Sequence, residues 1–506
     1  MLRNSIRLCL LGTTIGTTAL ATDPRFEPRD IPEHIYDGGW EHFVGGGVAA
    51  FDCNFDTLPD LYVAGGENSA QLMRNTSMQS ISFQAQTPAA LALTGVIGAY
   101  PINIDNDLFT DLVILRVGPD MLMRGLGDCQ FEPMDLGFQS GDHWTTAFSA
   151  TWEAGQTLPT LAFGTYVDRS DPKGPFQTCD DTLLYRPDGD RYTAPLHLTP
   201  GYCALSMLFT DWSRSGRSDL RVSNDRHYYV KGGQEQLWAM EETPRRYTAE
   251  DGWKPYSIWG MGIASRDISG DGFADVYLTS MGDQKLQTYD AGAPGPTYID
   301  ATYARGTTAH RPHIGEDGRP STGWHAAFGD VNNDGLDDIF VAKGNVEQMP
   351  DAAMQDPNTL LVQSADGVFS EHSGPAGIAS MARSRGAALV DFNGDGLLDL
   401  AVVNRRVPME LYENVTEGGN WLLLDIYGPE INTSAVGAHI QVCAPLGAPC
   451  QTREVTIGGG HAGGDLTRHH FGLGNWPSAK VQVTWPDQTT TDWAEVAVNG
   501  VVIVNR

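Results

Sequence analysis

Short apolar runs alternate with polar, glycine-rich loops along nearly the whole chain, the pattern of β-strands. Small-residue runs such as Gly45-Gly46-Gly47-Val48-Ala49-Ala50-Phe51 and Arg385-Gly386-Ala387-Ala388-Leu389-Val390 precede acidic loops. Runs such as Asp60-Leu61-Tyr62-Val63 and Asp399-Leu400-Ala401-Val402-Val403 follow them, and a further hairpin follows most loops, as at Leu411-Tyr412-Glu413-Asn414. The unit reads as a four-stranded antiparallel meander.

The loops between the first two strands share one pattern. Polar groups occupy alternate positions, Asp stands at the ninth place, and an aliphatic residue stands at the tenth. The copies are Asp52, Asn54, Asp56, Asp60; Asn103, Asp105, Asp107, Asp111; Asp267, Ser269, Asp271, Asp275; Asp330, Asn332, Asp334, Asp338; and Asp391, Asn393, Asp395, Asp399. A sixth, Asp211, Ser213, Ser215, Asp219, has hydroxyls between its carboxylates, and a seventh, residues 152–160, has lost the pattern's carboxylates. The copies start at 52, 103, 152, 211, 267, 330 and 391, a spacing of 49 to 63 residues that matches one propeller blade each. The fold class predicted is all-β, a seven-bladed β-propeller.

Oxygens at alternate positions of a tight loop converge on one point, so the loops are candidate Ca²⁺ sites, five strong and one weak. Gly272, Gly335 and Gly396 permit the sharp turn at the sixth place. Oxygen donors without His or Cys favour calcium over zinc or copper. An EF-hand is excluded, because its twelfth-position Glu is replaced by Val63, Ile114, Leu278, Val341 and Val402. Since each loop joins two strands of a blade, the expected role of the ion is structural.

Charge sharpens this picture. The 506 residues carry 33 basic and 63 acidic side chains, a formal balance of -30 with no basic run, so nucleic acid is not an expected partner. A basic start, a short apolar stretch and Ala19-Leu20-Ala21 predict a signal peptide over residues 1–21 and a secreted or periplasmic product without a membrane span. Its removal leaves six cysteines, for which Cys179 with Cys203 and Cys443 with Cys450 are the local pairings and Cys53 with Cys129 the remainder. Asn75-Thr76-Ser77, Asn414-Val415-Thr416 and Asn432-Thr433-Ser434 match glycosylation sequons.

These repeats resemble the FG-GAP or VCBS repeat proteins, related in plan to the integrin α-chain propeller. Asn420-Trp421-Leu422-Leu423-Leu424, Ala435-Val436-Gly437-Ala438, His470-Phe471-Gly472-Leu473-Gly474 and Val481-Gln482-Val483-Thr484-Trp485-Pro486-Asp487 resemble an ASPIC/UnbV domain. The combination is similar to the cartilage acidic protein 1 family and its bacterial relatives. The resemblance implies a propeller over residues 22–416 and a small β-sandwich-like domain over 417–506. It also implies an extracellular calcium-dependent protein, with some bacterial relatives encoded among natural-product biosynthesis genes.

Catalytic motifs are absent from the sequence, with no Gly-x-Ser-x-Gly elbow and no His-Glu-x-x-His. Gly458-Gly459-Gly460-His461-Ala462-Gly463 matches a dinucleotide motif literally but lacks the strand-to-helix setting that phosphate binding needs. His461, Asp465, His469 and His470 form the densest histidine cluster and are a candidate transition-metal set. Five residues before each loop stand Gly47, Gly98, Ala147, Ser206, Gly262, His325 and Gly386. Only His325 is large, so His325, with Trp324 and Arg385, marks a candidate ligand or catalytic pocket at the channel mouth. The leading expectation is a binding or adhesion protein for a protein or glycan ligand. The alternative is a cyclase, lyase or alkylating enzyme using His325 on a small organic molecule in the channel.

Overall fold

The computed structural model describes residues 22–172, 178–225, 232–315 and 317–506; the predicted signal peptide lies outside them. The fold is all-β. Six four-stranded antiparallel meanders begin at the strands Val48–Phe51, Val96–Ile102, His143–Thr151, Ala204–Thr210, Gly260–Arg266 and Gly323–Gly329. The seventh combines Ser384–Val390, Asp399–Asn404 and Glu410–Asn414 with an outer strand from the other end of the chain, Phe26–Arg29. That pairing ties the two ends of the repeat array together.

The first strand of each meander packs beside the first strand of the next, and Ser384–Val390 packs back against Val48–Phe51. The first strands thus make a closed circuit of contacts. Their side chains are buried almost throughout, and apolar side chains from successive meanders form shared clusters, such as Phe51, Leu61, Val390 and Val403. The remaining chain forms two further sheets. One joins Asn420–Tyr427 to His469–Gly474 and Gly500–Asn505, and the other joins His439–Cys443 to Cys450–Glu454, Ala479–Thr484 and Ala494–Val496. Leu422, Leu424, Ile440, Phe471 and Val483 fill one core between them.

Between the strands Cys450–Glu454 and His469–Gly474, the chain leaves these sheets and enters the circuit of first strands. Gly459 and Gly460 donate backbone hydrogen bonds to the carbonyls of Met207 (2.6 Å) and Ile263 (2.7 Å). Ala50 and Ala150 donate to the carbonyls of Gly464 (3.1 Å) and Ile457 (3.3 Å). The segment therefore takes up buried backbone groups from several meanders at once, satisfying its own in the process. Contact is too close for side chains: a Cβ on Gly47 or Gly98 would lie 1.8 or 1.7 Å from the Ala462 carbonyl oxygen. Gly47 and Gly98, two of the small residues five places before the loops, are required by this inserted segment. The segment approaches the first strands where the sequence placed a channel.

The three disulfides are Cys53–Cys129, Cys179–Cys203 and Cys443–Cys450, as expected. Among the described residues no helix is long and apolar enough to cross a membrane.

Replacing Gly98 by Ala should force the Ala462 carbonyl away and lower stability by about 1–3 kcal/mol. Urea unfolding of the variant measures this, and an unchanged midpoint would contradict the close approach.

Candidate functional site

Each loop is built around two carboxylates with different tasks. In the loop 330–338, Asp330 accepts hydrogen bonds from the backbone N–H groups of Asp334 (3.0 Å) and Gly335 (2.7 Å), which curls the loop. Asp338 accepts from Val331 (3.0 Å) at the loop's start and from Gln363 (2.9 Å) on the third strand, so it fastens the loop across the blade. Asp60, Asp111, Asp275 and Asp399 make the corresponding pair of bonds. The ninth-place Asp thus has a scaffold role that the ligand pattern alone did not reveal. Each of its oxygens keeps a lone pair for a cation.

Most of the loops curl through left-handed backbone at the fourth and sixth places, with different residues there. Gly270 and Gly272, Asn333 and Gly335, and Gly394 and Gly396 all have positive φ, as residues that adopt it readily. In the first loop Phe55 and Thr57 hold φ of 63° and 74°, and in the second Asn106 holds 60°.

The donor sets fit a hard divalent ion to different degrees. Asn54, Asn332 and Asn393 each donate an amide N–H to the Asp two places on, at 2.8, 3.2 and 3.0 Å. That amide group occupies the place of a cation among the carboxylates. Asn103, at the first place of its loop, has a buried Oδ1 without a hydrogen-bond partner, free to act as a ligand. In four loops an arginine supplies positive charge: Arg124 reaches Asp105 (2.7 Å), Arg217 reaches Asp219 (3.2 Å), Arg186 reaches Glu153 (2.8 Å), and Arg266 reaches Asp337 (3.5 Å). Asp219 also accepts from Trp212 Nε1 and the Tyr247 hydroxyl, each at 2.8 Å, while Ser213 and Ser215 bond to Asp211 and each other. Among the described residues, the one group of acidic, His or Cys ligand atoms lying within 4.8 Å of one another is Cys53, Asp60 and Cys129, and its two sulfurs form a disulfide.

Burial pushes the carboxyls of Asp267 and Asp391 up to about 6 and those of Asp60, Asp111 and Asp275 up to about 7. Asp330, Asp338 and Asp399 are raised well above the ordinary carboxylate range by burial, with neighbouring carboxylates adding to the effect. Their ionised forms lack compensation, which a divalent cation held by the loop oxygens would provide.

The channel residues are arranged differently from the expected pocket. Trp324 is fully buried and its Nε1 donates to the Gly344 carbonyl (2.7 Å). Arg385 lies over the Trp324 ring at 4.0 Å and donates to the carbonyls of Phe43, Ser384, Asn345 and Val346. His325 Nδ1 accepts the backbone N–H of His461 (3.1 Å), and desolvation lowers the ring's pKa to about 4. A Cβ on Gly460 would stand 2.5 Å from His325 Cε1, so Gly460 is the counterpart that lets His325 fit. His325 is thus in packed contact with the inserted segment, and it also lines a small cavity with Arg266, Arg453 and Asp465. His461 bonds through both ring nitrogens to backbone, at Gly45 (3.2 Å) and Met261 (3.1 Å), and His470 Nε2 bonds to the Gly396 carbonyl (3.0 Å). With Asp465 and His469 they do not gather as metal ligands.

Two stretches match known families: residues 330–402 the FG-GAP-like repeat, and residues 428–506 ASPIC and UnbV. The chain thus carries one stretch similar to each of these two families. It is 26% identical to cartilage acidic protein 1 of Mus musculus over 183 residues, covering 34% of this chain and 26% of that protein. The Homo sapiens protein is 26% identical over 182 residues, covering 34% and 25%. The match therefore spans about a quarter of these relatives' length. Solved structures with some likeness include BBS1N in complex with ARL6DN, with a TM-score of 0.43 and 10% identity, covering 77% of this chain and 95% of that one. An Agrocybe aegerita lectin specific for non-reducing terminal N-acetylglucosamine has a TM-score of 0.38 and 14% identity, covering 70% and 88%.

Two apparent sequons have a structural explanation. Asn75 and Asn414 are buried, and their Nδ2 groups bridge to Pro59 and Phe392, and to Val331 and Leu398. Ser77 and Thr416 donate to the Asn oxygens, so Asn-x-Ser/Thr is here a strap between neighbouring meanders. Asn432 is likewise buried, with Nδ2 bonded to the Val436 carbonyl.

The raised carboxyls set a pH dependence. Their folded values exceed the ordinary Asp value of 3.8, so the folded chain holds more protons than the unfolded chain in between. Their stabilising contribution in divalent-free buffer is complete below about pH 4 and is lost as pH rises through about 6 to 7. The melting temperature in EDTA should fall between pH 5 and pH 8; a rise over this interval would contradict the assignment.

Proposed function

We propose that the chain is a calcium-stabilised seven-bladed β-propeller, closed by its N-terminal strand and threaded by its C-terminal unit, that acts as a binding protein. The closed circuit of first strands supports the seven-bladed arrangement. Calcium would be held by Asp52, Asn54, Asp56 and Asp60 in the first blade, by Asp267, Ser269, Asp271 and Asp275 in the fifth, and by the sets beginning at Asp330 and Asp391 in the last two. The ion would supply charge compensation that fixes each loop across its blade. The second and fourth loops, where Arg124 and Arg217 already face carboxylates, would bind it more weakly.

The observation that carries the binding reading over the enzyme is the inserted segment. It buries His325, and the polar groups of Trp324 and Arg385 are engaged by backbone carbonyls. An open groove lies between the first, second and seventh loops and the C-terminal sheets. Three disulfides favour an extracellular or periplasmic setting.

Calcium at about a hundred times its dissociation constant adds about 2.7 kcal/mol per site. Adding calcium at pH 8 should therefore raise the melting temperature and remove the pH dependence seen in EDTA, and Asp334→Asn should reduce the gain. Glycan and protein arrays probed with the intact chain should then show a ligand retained in calcium and released by EDTA. An unchanged melting temperature with calcium, or turnover of a substrate that His325→Gln abolishes, would overturn the reading.

A further inference from the structure

A groove of about 470 Å³ lies between the first, second and seventh loops and the C-terminal sheets. Its size falls in the range of pockets for small ligands or one or two large side chains. Phe55, Leu108, Phe109, Ile426 and Tyr427 form its apolar wall.

Two of these side chains break the pattern that the other loops follow. Phe55 stands at the fourth place, where the fifth, sixth and seventh loops have Gly270, Asn333 and Gly394. It adopts a φ of 63° while 57% exposed, against Phe109 at 5.4 Å between ring centres. Leu108 stands at the sixth place, where the later loops have Gly, and is 82% exposed. Phe55 is a large apolar residue in left-handed backbone and in water, costly twice over, and such departures cluster at binding sites. Both departures fall on this groove.

The rim is acidic. Asp52, Asp107, Asp391 and Asp425 line it, while Arg468 faces Asp425 at 3.5 Å and burial keeps His469 and His470 neutral, at about 4. Calcium in the first and seventh loops would leave three carboxylates against each divalent ion, so the rim stays negative.

We propose that this groove docks a basic peptide segment carrying a large apolar side chain, the side chain on the Phe55–Leu108 wall and the flanking cations on the acidic rim. The proposal deepens the binding reading and rests on it, but not on calcium-dependent stability, which is measured separately.

The probes are the tripeptides Lys-Trp-Lys and Glu-Trp-Glu, titrated calorimetrically into the full chain with calcium present. Lys-Trp-Lys should bind at least about tenfold tighter, the preference shrinking at high salt. Phe55→Asn should weaken Lys-Trp-Lys by about fivefold or more while leaving the melting temperature equal or higher, because it relieves the left-handed strain. Asp425→Asn should weaken it similarly, and Tyr303→Ser, an exposed position outside the groove, should not. Equal affinity for the two peptides, no detectable binding of Lys-Trp-Lys, or full affinity in Phe55→Asn would overturn the proposal. Those results would leave the calcium-dependent melting temperature untouched, so the two readings fail separately.

Discussion

The structure depends on one close backbone contact, the passage of the glycine-rich segment 458–464 through the circuit of first strands. Every peptide group placed there must find a hydrogen-bond partner, since water is excluded. Gly459 and Gly460 find theirs on the fourth and fifth meanders, and Gly464 accepts from the first. Such an approach is possible only where side chains are missing, which explains Gly47 and Gly98 on one side and Gly460 on the other. The C-terminal sheets are consequently bound to the ring through its centre as well as through the surface they cover.

The acidic loops work against the scaffold they fasten. The ninth-place Asp ties the loop to the third strand through two backbone hydrogen bonds, yet it is buried among other carboxylates. The chain resolves this conflict locally in more than one way. Arg186 faces the third loop and Arg217 the fourth, whereas the first, fifth, sixth and seventh retain a set of oxygens suited to a hard cation. The first and seventh of these loops also border the groove.

Much of this was legible in the sequence because it is local. Strand–loop–strand periodicity, the alternating oxygens and the smallness of the residue five places upstream all lie within one repeat. The pairing Cys179–Cys203 was readable for the same reason. What could not be read involves partners far apart in the chain. The outer strand of the seventh meander comes from Phe26–Arg29, nearly four hundred residues from Glu410–Asn414. His325 looked like an exception among glycines because its complement, Gly460, lies in the C-terminal segment. The glycine motif at 458–463 signalled a close backbone approach, which is what glycines provide in a phosphate loop too, but the approaching group here is the protein's own backbone. Asn75 and Asn414 carried the letters of a sequon for reasons of strand bridging.

The central claim is that residues 457–464 belong to the core of the ring. Hydrogen exchange of the intact chain tests it directly, because a buried hydrogen-bonded amide exchanges only when its surroundings open. The amides of Gly459 and Gly460 should exchange as slowly as those of the first strands, such as Ala50 and Ala150. Exchange of Gly459 and Gly460 at the rate of an exposed loop, while the first strands remain protected, would contradict the account.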